Sequence, residues 1–220
     1  MGKRRTAKIS SKPVSFLILE GDTEQIFYSI IRDKFLRNIQ IELRNIRGQG
    51  NINKDILREI FKYTYNNPGD RVRAYCCIDA EKLKTSATPF ELELIRNKAR
   101  ERNMAHVLSI DGILADPDIE SWFFYDIEGI YKFLGAKRSQ RNIRKYSNVS
   151  KLGKKDLHQL FGRFKEEYFS GNRAKHFINN LNIENIVSKC KELSEGIKLI
   201  RSQANDLTNH LFPPRKNKSN

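Results

Sequence analysis

Val14-Ser15-Phe16-Leu17-Ile18-Leu19-Glu20-Gly21-Asp22-Thr23-Glu24 is the stretch on which the architecture turns. Its first six residues form a β-rich apolar run broken only by Ser15 and preceded by Pro13. A run of this kind suits a strand buried on both faces, the environment of a parallel sheet. Gly21 allows a tight turn, and Asp22 or Thr23 can cap a helix that starts at once. The apolar stripe Ile26, Phe27, Ile30, Ile31, Phe35 carries that helix to about residue 37.

Working outward, the pattern repeats. Residues 39–46 alternate and read as a second strand, closed by Gly48-Gln49-Gly50. A helix beginning at Asn53 runs through Ile56, Leu57, Ile60 and Phe61 and stops before Asn67-Pro68-Gly69. Residues 72–78 are a third apolar strand, 90–102 a third helix and 105–110 a fourth strand. This βαβαβαβ order with short links predicts an α/β fold: a mostly parallel sheet flanked by helices. Beyond it, 119–134 has helical spacing, about 136–153 reads as a basic loop, and 155–169, 174–181 and 183–204 read as helices. The expected organisation is a basic tail over 1–13, a single domain over 14–212 whose part from about 154 is a helical C-terminal extension, and a basic tail over 213–220.

The chain has 220 residues, enough for one sizeable core. With 39% hydrophobic residues it is not a disordered chain, and it contains no apolar stretch of membrane-spanning length. The basic N-terminus is followed by no apolar signal segment. Cys76, Cys77 and Cys190 make neither a metal-ligand spacing nor an even disulfide set, which fits a reduced, cytoplasmic setting. Cys76 and Cys77 lie in an apolar strand and read as packing residues. The four histidines share no ligand spacing, and no phosphate-binding G-x-x-x-x-G-K-[ST] loop occurs.

The net charge of +15 is concentrated. Three acid-free segments, 1–13, 132–155 and 213–220, hold 17 of the 41 Lys and Arg, leaving 24 against 26 acids elsewhere. Such segments suit a polyanion, because phosphates bound there release counterions, and they also suit a solvated surface. The internal run is flanked by Tyr131 and Tyr146 and favours nucleic acid. Arg138, Arg141, Arg144, Lys145, Lys154 and Lys155 are its candidate contacts. It has no strong apolar face for a membrane surface.

The acids carry the chemistry. In a parallel α/β sheet, ligands bind beyond the carboxyl ends of the strands. Glu20 follows the first strand, and Asp79 and Glu81 follow the third. If those strands are neighbours, three hard oxygen ligands from two loops converge, which is the donor set of Mg²⁺ or Mn²⁺. Taken singly, the same acids also serve as helix-cap and turn residues. A third cluster, Asp116-Pro117-Asp118-Ile119-Glu120, offers Asp118 as an N-cap, with Asp116 and Glu120 able to reach the same cleft.

The Leu19-to-Glu24 element followed by a helix, and the strand ending Asp79-Ala80-Glu81, resemble the Toprim domain of topoisomerases, primases and several nucleases. Asp116-Pro117-Asp118-Ile119-Glu120-Ser121-Trp122-Phe123 is similar to a segment of small stand-alone Toprim proteins, RloB-like and OLD-nuclease-related, from bacterial restriction and phage-defence loci. The acid pair here is D-x-E where D-x-D is commoner. The resemblance covers roughly residues 14–200. It implies a Mg²⁺-dependent nuclease of DNA or RNA in which Glu20 is metal ligand or general acid/base. Asp79 and Glu81 hold the metal, and Glu24 and Glu120 are auxiliary ligands. It also implies two alternatives: an endonuclease of RNA maturation, or a non-catalytic nucleic-acid-binding or sensor subunit working with an ATPase partner.

Overall fold

The computed structural model describes residues 12–47, 50–83 and 88–212. The basic tails, apart from residues 12 and 13, and Gly48-Gln49 lie outside them.

The described chain begins with the predicted alternation: β1 (Val14–Leu19), α1 (Asp22–Phe35), β2 (Ile41–Asn45), α2 (Ile52–Asn66), β3 (Val72–Asp79), α3 (Leu92–Glu101) and β4 (Val107–Ala115). The four strands form one parallel sheet in the order β2-β1-β3-β4. Every residue of β1 and of β3 is buried, as their apolar runs require of strands covered on both faces.

The period of two divides the sheet between two cores. Leu17, Leu19, Tyr75, Cys77, Ile113 and Ala115 face the larger one, with Phe27 and Ile31 of α1. Phe16, Ile18, Ala74, Cys76, Ile78 and Ile110 face the other, with Ile56 and Ile60 of α2 and Ile95 of α3. So α1 lies on one side of the sheet and α2 and α3 on the other. The chain steps from β1 outward to β2, then returns past β1 to β3. The strand order therefore reverses between β1 and β3, the place where such sheets open a crevice at their carboxyl ends.

β4 runs five residues beyond the expected end. Asp111 and Gly112 look like a break, but Arg96 of α3 pairs with Asp111 at 3.1 Å, and Gly112 lies against Leu92 and Phe90. The strand therefore ends at Ala115, immediately before the third acid cluster.

The remainder is helical, as expected, but more broken: α4 (Ile119–Phe123), α5 (Ile127–Phe133), α6 (Lys154–Arg163), α7 (Lys175–Asn179), α8 (Ile183–Lys189) and α9 (Lys191–Gln203). The predicted 119–134 helix is divided at Phe124–Asp126 by a 3₁₀ turn. There Asp126 accepts the Asn182 N–H at 2.7 Å, tying the break to α8. The basic stretch expected as a loop holds three 3₁₀ turns, Arg138–Gln140, Ile143–Tyr146 and Val149–Lys151. Tyr146 anchors it in the larger core by stacking on Phe124. The C-terminal helices pack on the α1 side, contributing Leu157, Phe161, Phe177, Ile186, Leu193, Ile197 and Ile200 to the core that β1 faces. Beyond α9, the fully buried Arg73 of β3 is held by Asp206 Oδ2 at 3.0 Å and by the Asp206 and Thr208 carbonyls. The three cysteines are free and buried. Burial pushes the Cys77 thiol up to about 12, which suits packing and not nucleophilic attack. Among the described residues no helix is long and apolar enough to cross a membrane.

Candidate functional site

β1 and β3 are direct neighbours, with Leu19 paired to Cys77. The loops at their carboxyl ends therefore share one cleft of about 460 Å³. Glu20, Glu24, Asp79, Glu81 and Glu120, the five expected ligands, all line it. Asp22, Asp118, Arg47 and Lys154 line it as well. Seven carboxylates thus meet two cations, a formal excess of five negative charges.

Each acid arrives for a local reason. Glu20 stands one residue past β1. Gly21 takes the N-cap position of α1 in an extended conformation without a side-chain cap bond, which places Asp22 and Glu24 in the first helical turn. The expected cap, Asp22 or Thr23, is thus displaced by one residue, and both side chains serve the cleft wall instead. Asp22 accepts from Asn45 at 2.6 Å and from Asn172 at 3.2 Å, and Thr23 Oγ1 accepts the Gly171 N–H at 2.7 Å. Asp79 is the last residue of β3, and Glu81 belongs to the 3₁₀ turn Ala80–Leu83 behind it. The Glu81 N–H donates to the Pro117 carbonyl at 3.1 Å, joining this turn to the loop after β4.

In that loop Asp118 takes on a second role. Asp116, read as able to reach the cleft, does not line it; Asp118 does. Asp118 is also the N-cap of α4, accepting the Ser121 N–H through Oδ1 at 2.9 Å. Its Oδ2 accepts the Lys154 N–H at 2.9 Å, locking the start of α6 against the cleft. Glu120 sits in the first turn of α4, where Tyr168 donates its hydroxyl to Oε1 at 3.0 Å.

The acids are graded in depth. Glu120 is 3% exposed and Asp79 9%; Glu24 and Asp118 are also buried, Glu20 is half-buried, and Glu81 is exposed. Burial pushes the Asp79 carboxyl up to about 9, reinforced by the charges of Glu24, Glu20, Glu120 and Asp118. Burial likewise pushes Glu120 up to about 7, with Asp118 adding to it and Lys154 and the Tyr168 hydrogen bond opposing. Glu24 and Asp118 are raised mainly by burial.

In chemistry, charge and burial this donor set fits a hard divalent cation: all-oxygen, strongly negative and partly sheltered from water. Among the described residues, however, no group of three or more His, Cys, Asp or Glu side chains is arranged to hold a metal ion. Ligation therefore requires the carboxylates that share the cleft to swing together.

Of the six candidate nucleic-acid contacts, only Lys154 lines the cleft. Arg138, Arg144, Lys145 and Lys155 are exposed away from its lining. Arg141 is committed elsewhere, to Glu128 at 2.8 Å and to the Ala136 carbonyl. The run thus offers exposed cations, with Arg141 acting as its internal brace.

The sequence reading named Ser170, Gly171 and Thr23 in no site role, yet they line the cleft. Ser170 and Gly171 come from a turn some 150 residues beyond Glu20, and no local pattern links the two. Arg47 is exposed at the rim with a left-handed φ of 48°, its N–H held by Asn45 Oδ1 at 2.7 Å.

No protein family, curated protein or solved structure matches the chain.

Proposed function

We propose that the chain is a metal-dependent nuclease of Toprim type, hydrolysing phosphodiester bonds in DNA or RNA, in a phage-defence role. The observation that carries this reading is the convergence of Glu20, Glu24, Asp79, Glu81 and Glu120 on one cleft at the strand-order reversal. A cleft lined by seven acids and two cations repels a phosphate unless a cation enters with it. Asp79, Glu81 and Glu20 would hold Mg²⁺ or Mn²⁺, with Glu24 and Glu120 as auxiliary ligands. When bound, the ion supplies Lewis-acid polarisation of a phosphoryl oxygen and lowers the pKa of a nearby water. The chain's own groups do the rest. Lys154 and Arg47 face the phosphate's non-bridging oxygens, Glu20 binds the ion or moves the proton, and Tyr168 holds Glu120 in place. The exposed Arg138, Arg144, Lys145 and Lys155 take phosphates farther along the strand.

The spread of the carboxylates favours a second reading, a non-catalytic nucleic-acid-binding subunit that works with an ATPase partner. One experiment separates the two. Plasmid, single-stranded DNA and structured RNA are each incubated with the protein in Mg²⁺, Mn²⁺ or EDTA. The nuclease reading expects cleavage of at least one substrate, abolished by EDTA. Binding without cleavage in any metal supports the second reading.

A further inference from the structure

From Tyr168 to Asn172 the chain is fastened to the acidic cleft at four of five residues. Tyr168 donates to Glu120, Lys154 Nζ donates to Ser170 Oγ at 3.2 Å, the Gly171 N–H donates to Thr23, and Asn172 donates to Asp22. All four partners line the cleft. The exception is Phe169, half-buried, whose ring carries the Arg173 guanidinium 3.9 Å from its centroid. Arg173 is exposed, and among the described residues this stack is its sole side-chain contact of a polar or ring kind. Its N–H donors and its outer face are therefore unspent.

A guanidinium held over an aromatic ring is a pre-positioned cation. Its outer face suits a nucleobase, because every base has a π-face and Arg planes are stacking partners for unstacked bases. Within a duplex both faces of a base are covered by its neighbours, so this contact is open only to an unpaired base. The cleft agrees with that restriction. Its deepest acids, Glu120 and Asp79, are recessed. We propose that Phe169 and Arg173 form a stacking platform for an unpaired base flanking the scissile phosphate, which makes single-stranded nucleic acid the substrate class. The proposal rests on the nuclease reading and deepens it.

The test uses the full chain and three probes: a short DNA strand carrying 2-aminopurine, the same sequence in RNA, and the paired DNA duplex. Ca²⁺ replaces Mg²⁺, and a gel verifies that the strands stay intact. The wild type is expected to bind both single strands more tightly than the duplex and to quench 2-aminopurine. Arg173→Lys keeps the charge and loses the plane, and Phe169→Leu keeps an apolar side chain and loses the ring. Each is expected to weaken single-strand binding by between about 5-fold and about 150-fold, the range for losing one stacked base, with duplex binding unchanged. Unchanged single-strand affinity and quenching in both variants overturns the platform and leaves the nuclease reading standing, as does equal wild-type affinity for strand and duplex. Failure of the wild type to bind any probe overturns the nuclease reading, and the platform falls with it.

Discussion

Replacing Asp79 by Asn should stabilise the metal-free protein, and most at alkaline pH. The carboxyl is 9% exposed, accepts the Ile119 N–H at 2.9 Å, and is pushed up to about 9 by burial and by its acidic neighbours. In the unfolded chain it ionises near pH 3.9. The folded state therefore keeps a proton that the unfolded state has released between about pH 4 and about pH 9. Its contribution to stability is complete below about pH 4 and is lost as the pH rises through about 9. One proton sets a slope of about 1.4 kcal/mol per pH unit. The full separation sets a ceiling of about 7 kcal/mol. Side-chain rotation and water entry relieve part of that, so about 2–4 kcal/mol is expected near pH 8. Asn keeps the shape of the neutral acid and can still accept from Ile119. At about 2–4 °C per kcal/mol for a chain of this size, the variant's Tm in EDTA should exceed the wild type's by about 4–16 °C at pH 8 and converge on it toward pH 4. Thermal and urea unfolding across that range reads both. Parallel pH profiles, or a variant less stable than wild type at pH 8, would show that Asp79 carries no raised pKa in the folded protein.

Three further outcomes follow from the same geometry. Tyr168→Phe deprives the buried Glu120 of its hydroxyl donor and should cost about 1–3 kcal/mol in urea unfolding; a change under about 0.5 kcal/mol would show that Glu120 is satisfied without it. Changing Arg138, Arg144 and Lys145 together to Ala should lower the salt slope of duplex binding by up to about 0.9 per lost phosphate contact. Arg141→Ala should instead destabilise the turn it braces, with little change in slope, since its guanidinium is already committed. Gly196→Ala would bring a methyl to 2.9 Å from Ile113 Cδ1 at the contact of α9 with β4, an overpacking expected to cost about 1–3 kcal/mol; unaltered thermal stability would show that this contact yields freely.

The part of the fold that was legible in the sequence is the part where one face pattern decides the element. β1 and β3 are apolar throughout because both faces are covered, and the acids at their ends follow directly from where those runs stop. Glu20, Asp79 and Glu81 were therefore readable as one group, whereas Glu24 and Glu120 entered as ligands only through the Toprim resemblance. What was hidden depends on partners remote in the chain. β4 passes through Asp111 and Gly112 because α3 supplies Arg96 and a close neighbour for the glycine. Asp118, read as a cap, also faces the cleft because α6 begins against its second oxygen. The Ser170–Gly171 wall exists only because Thr23 and Lys154 hold it there.

The strand-end carboxylates are expected to form a divalent-cation site. Calorimetric titration of Mn²⁺ into the wild type and Asp79→Asn, with the melting temperature read alongside, tests it most directly. A ligand that binds only the folded state stabilises it by about 2.7 kcal/mol at a hundred times its Kd. Saturable binding and a rise in Tm of about 5–11 °C are expected for the wild type at that concentration, and neither for the variant. Absence of binding heat and of any Tm shift in the wild type, or an equal response in Asp79→Asn, would contradict it.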